Sequence, residues 1–126
     1  MFIYFNPSPN GSKVGDCVIR AICAVENRNW DDVYCELAVQ GYIMKDMPSS
    51  NSVWGEYLKS RGYKRHFVGD DCPLCYTVKD FADSHPVGAY VVGTGTHAVA
   101  VINGNYVDNW DSGSEPILYY WQKHNI

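Results

Sequence analysis

In the stretch VGDCVIRAIC, Val14 to Cys23, a cysteine directly follows Gly15 and Asp16, and Asp16 reads as the cap of a helix. A thiol at a helix N-terminus is favoured as the thiolate, because the helix dipole and the unpaired N–H groups stabilise negative charge there. A cysteine nucleophile also needs a base within hydrogen-bond reach and a group that orients that base. Of the four histidines, His97 is the best placed, since it opens the run HAVAVI straight after GTGT. Gly93 and Gly95 in that lead-in would let a substrate backbone come close. Asn103–Gly104 is a strong hairpin signal. Counting back across it brings Asp108, in NYVDNW, close to His97. Asp108 would then hold the imidazole in one tautomer, and Trp110 would shield that hydrogen bond from water. The chemistry such a set performs is nucleophilic acyl transfer, with Cys17 attacking, His97 moving the proton and Asp108 orienting.

The surrounding elements can be read from pattern and punctuation. MFIYF is strand-like, and NPSPNGSKVG is a loop rich in Asn, Pro, Gly and Ser. A helix over 17–26 has a wide apolar face made by Val18, Ile19, Ala21, Ile22 and Val25. Asn29 is placed to cap a second helix, WDDVYCELAVQ, with Asp31 and Asp32 in its first turn and Gly41 at its end. MPSSNS is a linker, SVWGEYLKSRG a third helix stopped by Gly62, and YKRHFV a strand. Thr77 and Asp80 suit the capping of a short fourth helix, with Pro86 just beyond its end. GAYVVG, HAVAVI, NYVDNW and ILYYWQK are β-branched and aromatic strands. Helices first and strands after predict an α+β fold over 1–126 as one compact domain, its N-terminal helices packed on one side of a C-terminal antiparallel sheet.

With these elements in place, GDCVIRAI followed by GTHAVAVINGNYVDNWDS resembles the papain-like cysteine peptidase superfamily, and within it the small papain-like proteins often encoded by bacteriophages and bacteria. The resemblance implies a papain-like fold, with the cysteine capping the central helix and the histidine and Asn/Asp on adjacent strands. It places Asp108 at the Asn position and Trp110 at the Trp position, and it implies a cysteine hydrolase acting on a peptide or protein substrate without a cofactor. The papain group carries an oxyanion-hole Gln shortly before its cysteine, whereas no Gln precedes Cys17 here. Asn10 or Asn6 could supply the amide beside the Cys17 N–H. A second reading keeps the fold and gives it a binding or host-interaction role with weak or vestigial chemistry.

Composition narrows the remaining classes. A net charge of −4, with no Lys/Arg cluster beyond KSRGYKRH, argues against nucleic-acid binding. No apolar run approaches the ~20 residues of a membrane span, and the first residues lack the basic region of a signal peptide, so a cytoplasmic location is expected. Five cysteines without an export signal suggest reduced thiols, with Cys23 and Cys35 buried in helix faces. Cys72 and Cys75 form a lone C-x-x-C that could be half of a zinc site or a redox pair, though neither His66 nor His85 has close ligand spacing, and no metal is expected. His66, His85 and His124 read as surface or strand-end residues, and Asp70–Asp71 as an acidic turn. Asp111 is a weaker alternative to Asp108 and suits the cap of the turn DSGSEP. Trp54 or Tyr90 could line a groove.

Overall fold

A computed structural model describes residues 1–68 and 76–123. Among the described residues, four helices, α1 (Cys17–Glu26), α2 (Trp30–Met44), α3 (Asn51–Ser60) and α4 (Val78–Ser84), accompany six strands. The strands are β1 (Phe2–Tyr4), β2 (Tyr63–Phe67), β3 (Ala89–Gly93), β4 (Ala98–Ile102), β5 (Asn105–Asp108) and β6 (Tyr119–Lys123). The fold is α+β, but its sheet is mixed and not a C-terminal antiparallel meander. Its order is β1-β5-β4-β3-β6-β2, with β1 running parallel to β5 at one edge. β6 is inserted between β3 and β2 and is antiparallel to both. The N-terminal residues therefore supply an edge strand, and the last strand lies inside the sheet.

Both faces of the sheet are covered. Successive residues of a strand point to opposite faces, and the two apolar clusters divide accordingly. Val91, Ala98, Ala100, Val107, Tyr119 and Trp121 pack with Ala21 and Ile22 of α1, Val33 and Leu37 of α2, and Trp54 and Leu58 of α3. Tyr90, Val92, Val99, Val101 and Tyr106 pack on the other side against Val78, Phe81 and Ala82 of α4. The expected one-sided packing thus holds for α1–α3 and not for α4, whose Phe81 is fully buried against the second face.

Local chemistry accounts for most boundaries. Asn29 Oδ1 accepts from the Asp32 N–H and caps α2. This helix runs past Gly41 to Met44 and ends on Lys45 in the left-handed region at φ 57°. Gly41 is buried within it because a Cβ there would come within 2.7 Å of the Asp46 carbonyl oxygen. Thr77 and Asp80 form a reciprocal capping box at the start of α4. Thr77→Ala removes one half of that box and is expected to lower unfolding stability by about 1 kcal/mol, read as a shift in the urea midpoint with unchanged slope. Asn103 and Gly104 both have positive φ, 49° and 83°, as the tight β4–β5 turn requires. That turn pairs Ile102 with Asn105 and Ala100 with Val107, and so carries Asp108 back to the end of the sheet where β4 begins.

Candidate active site

Cys17 is the first residue of α1, and α1 packs across β4 with its N-terminus at the end of the sheet where His97 precedes Ala98. Cys17, His97 and Trp110 line one cleft of about 780 Å³ together with Leu37, Trp54 and Tyr119. The structure brings Cys17, His97 and Asp108 together. His97 Nε2 lies 2.7 Å from Asp108 Oδ2, which leaves Nδ1 as the nitrogen available to the Cys17 thiol, and Cys17 and His97 each shift the other's ionisation. Trp110 is 42% exposed, and its ring centroid stands 5.0 Å from that of His97, so it leans on the imidazole while keeping an open face.

Asp108 is fully buried, and its hydrogen-bonding capacity is well used. Oδ2 accepts from the Ser112 hydroxyl at 2.6 Å as well as from His97. Oδ1 accepts from Arg20 Nε at 2.9 Å and from the Asn109 N–H at 2.8 Å. The Arg20 guanidinium also donates to Asp16 Oδ1 at 2.6 Å, and the Trp30 indole N–H donates to Asp16 Oδ2 at 2.8 Å. A buried arginine thus bridges two buried carboxylates, one beside the nucleophile in sequence and one on the histidine. Buried charge persists only when it is paired and hydrogen-bonded in this way. Asp16 does not cap α1 with its side chain as expected. Its carboxylate is drawn inward by Arg20 and Trp30, which leaves the first-turn N–H groups without a side-chain partner.

The electrostatics of the three groups are mutually consistent. Burial pushes the Cys17 thiol up, but hydrogen bonds from His97 and from the Ala98 N–H, with the positive charges of His97 and Arg20, more than offset it and hold the thiol below its ordinary value. Burial works against the His97 imidazolium, yet the hydrogen bonds to Asp108 and Cys17 and the charges of both raise it to about 9. Burial would also raise the Asp108 carboxyl, and the hydrogen bonds from His97 and Ser112 with the charges of His97 and Arg20 keep it lowered. These directions favour a thiolate–imidazolium pair held by a carboxylate.

Other expected residues fall elsewhere. Neither Asn6 nor Asn10 is among the residues lining the cleft. The Asn6 amide donates to the Gly11 and Ser12 carbonyls and accepts from the Ser8 N–H, so it ties its own loop together. Gly93 makes room for Tyr119 and not for a substrate, because a Cβ there would come within 2.2 Å of the Tyr119 ring. Gly95 does border the cleft, with open space where a Cβ would be. Trp54 lines the cleft and Tyr90 does not. Asp111 accepts from the Gly113 N–H and the Tyr106 hydroxyl, capping its turn as expected. Cys23 is buried, whereas Cys35 is exposed. His85 stacks on Phe81 with centroids 3.8 Å apart, and His66 stacks on Tyr120 at 4.9 Å. Cys72, Cys75, Asp70, Asp71 and His124 lie outside the described residues. Among the described residues, no group of His, Cys, Asp and Glu could hold a metal ion, and no helix is long and apolar enough to cross a membrane.

The reading from sequence missed Arg20 and Ser112. Arg20 interrupts an apolar helix face between Ile19 and Ala21, and a cation at such a place is the one available signal of a buried ion pair. Ser112 had no such signal. A comparison of this chain with protein-family models, with curated proteins and with solved structures finds no match.

Proposed function

We propose that this protein is a papain-like cysteine hydrolase that cleaves a peptide, isopeptide or other amide bond. The observation that carries the reading is the Cys17–His97–Asp108 constellation at the wall of a cleft, with a lowered thiol and a histidine raised to about 9. Cys17 Sγ attacks the carbonyl carbon, and a C–S bond forms. As the C–N bond breaks, His97 gives its proton to the leaving amine. A water molecule, deprotonated by His97, then attacks the thioester, and the carboxylic acid and the free thiolate are released. Asp108 fixes the ring orientation throughout and stays ionised. The apolar wall of Leu37, Trp54 and Tyr119 suits a side chain on the acyl part of the substrate.

Alkylation tests the reading most directly. Cys17 is expected to react with iodoacetamide at pH 6 faster than a free thiol of pKa about 8.5 does, with Cys17→Ala abolishing the label found at that position by mass spectrometry. A rate equal to that of a free thiol would remove the activated nucleophile and with it the hydrolase. Tight capture of a protein partner by both wild type and Cys17→Ala, without a covalent adduct, would instead indicate a binding role.

The pH dependence follows from the two shifts. Activity needs the thiolate, which is lost as pH falls through the lowered Cys17 value. It also needs the imidazolium, which is lost as pH rises through about 9. The profile of kcat/KM is therefore expected to be bell-shaped, with its alkaline limb near 9. An alkaline limb near 6.5, the ordinary histidine value, would contradict the His97–Asp108 coupling.

A further inference from the structure

We propose that the carboxamide of Asn109, together with the first-turn N–H groups of α1, forms the oxyanion hole of this site, an assignment that rests on the hydrolase reading. An acyl transfer at Cys17 places a negative oxygen beside the helix N-terminus, and hydrogen-bond donors fixed there before reaction stabilise it most effectively. One donor set is present in the backbone. α1 is ten residues long, and the Asp16 side chain does not cap it, being held by Arg20 and Trp30. The loop asparagines do not provide the second donor, since neither Asn6 nor Asn10 lines the cleft.

Asn109 does line it, between Asp108 and Trp110 in the chain. The residue is only 5% exposed, yet its carboxamide makes no hydrogen bond with any described residue. Its amide atoms are not among the fully buried polar atoms left without a partner, so the small surface the residue keeps includes the amide itself. An unpaired donor lining the nucleophile's own cleft has a use when a substrate oxygen arrives. Its position is also rigid. The Asn109 N–H donates to Asp108 Oδ1 at 2.8 Å, and that carboxylate is clamped by Arg20 and Ser112. The same clamp that aims the histidine therefore fixes the backbone from which the Asn109 amide projects. The other polar side chains of the cleft are less suited. Thr94 Oγ1 is engaged with the His97 carbonyl and the Thr96 N–H. Asn51 is oriented by the Trp54 indole, which donates to its Oδ1. The Tyr119 hydroxyl lies over Gly93, on the opposite side of β4 from Asp108.

Two reactions of the same thiol separate this role from a structural one. Alkylation by iodoacetamide needs the thiolate but forms no oxyanion, whereas acylation by p-nitrophenyl acetate forms one. Asn109→Ala is expected to slow acylation about 10²–10³-fold and to leave the rate and pH profile of alkylation within about twofold. Asn109→Leu, which keeps the size and removes the N–H donor without adding a charge near the thiolate, is expected to show the same split and serves if the alanine variant does not fold. Equal acylation by wild type and both variants would overturn the assignment. So would a parallel fall in both reactions, which would mark Asn109 as structural. A split seen in Tyr119→Phe and not at Asn109 would move the role to the tyrosine. Failure of wild type to be acylated would end the hydrolase reading itself, an outcome distinct from any of these.

Discussion

His97→Gln is expected to slow acyl transfer at Cys17 by about 10³-fold or more, combining the loss of a general base with the loss of the thiolate's partner. The sign on the thiol follows from its surroundings. Burial is the largest influence on Cys17 and raises it; the hydrogen bond and charge of His97 are what reverse that direction, and only the Ala98 N–H and the charge of Arg20 would remain. The variant thiol should therefore ionise at higher pH than in wild type, and alkylation at pH 6 should fall steeply while alkylation at pH 10 recovers. The rate of iodoacetamide labelling against pH, followed at Cys17 by mass spectrometry, measures this. An unchanged acid limb in the variant would show that the thiol does not depend on His97.

Arg20→Met is expected to cost about 3–5 kcal/mol of stability, because it leaves the Asp16 and Asp108 carboxylates buried without their cation. In this set Arg20 is 4% exposed at its side chain, with 3% for Asp16 and none for Asp108, so water cannot replace the lost partner. The reverse experiment discriminates between packing and charge. The double variant Arg20→Met with Asp16→Asn removes one of the stranded charges and should regain part of the loss, a coupling of the kind seen only for residues in one network. Urea denaturation of the wild type and the variants reads both effects. A loss below about 1 kcal/mol in the single variant, the range of exposed ion pairs, would mean that the bridge carries little of the fold.

The contrast between the two predictions reflects what sequence can and cannot convey. Cys17, His97 and Asp108 are legible because each rests on local punctuation. Gly15–Asp16 marks the start of a helix, and Asn103–Gly104 sets a register that brings Asp108 back beside His97. Arg20 is not legible in the same way. Asp16 lies only four positions away, but Asp108, 88 positions off, becomes a partner visible only when β5 and α1 are seen to meet. The strand order fails for the same reason. β1 has three residues, too few for a pattern, and its parallel pairing with β5 is decided across nearly the whole chain. β6 lies between β3 and β2 through contacts that no local turn announces. In α2 the residues that face the core are Val33, Leu37 and Gly41. Cys35 falls between them and points outward, while Gly41 lies inside the helix, its missing Cβ leaving room for the Asp46 carbonyl and Pro48. Long-range packing overrode local signals at these places.

The edge strand has a consequence for how the molecule comes into being. Phe5 N–H donates to the Asp108 carbonyl at 2.8 Å, Tyr4 pairs with Asp108, and the amino group of Met1 reaches the Gly104 carbonyl across 103 positions. Asp108 is therefore anchored by residues more than a hundred positions before it, and that anchor forms only once the intervening segment is in place. Contacts of such long sequence separation close late and slowly in folding. A nascent or partly folded chain would carry Cys17 as an ordinary thiol, and its reactivity would switch on only when the two distant segments zip together. Labelling at mildly acidic pH during refolding would then act as a clock for the last step of assembly, not merely as an assay of the finished site.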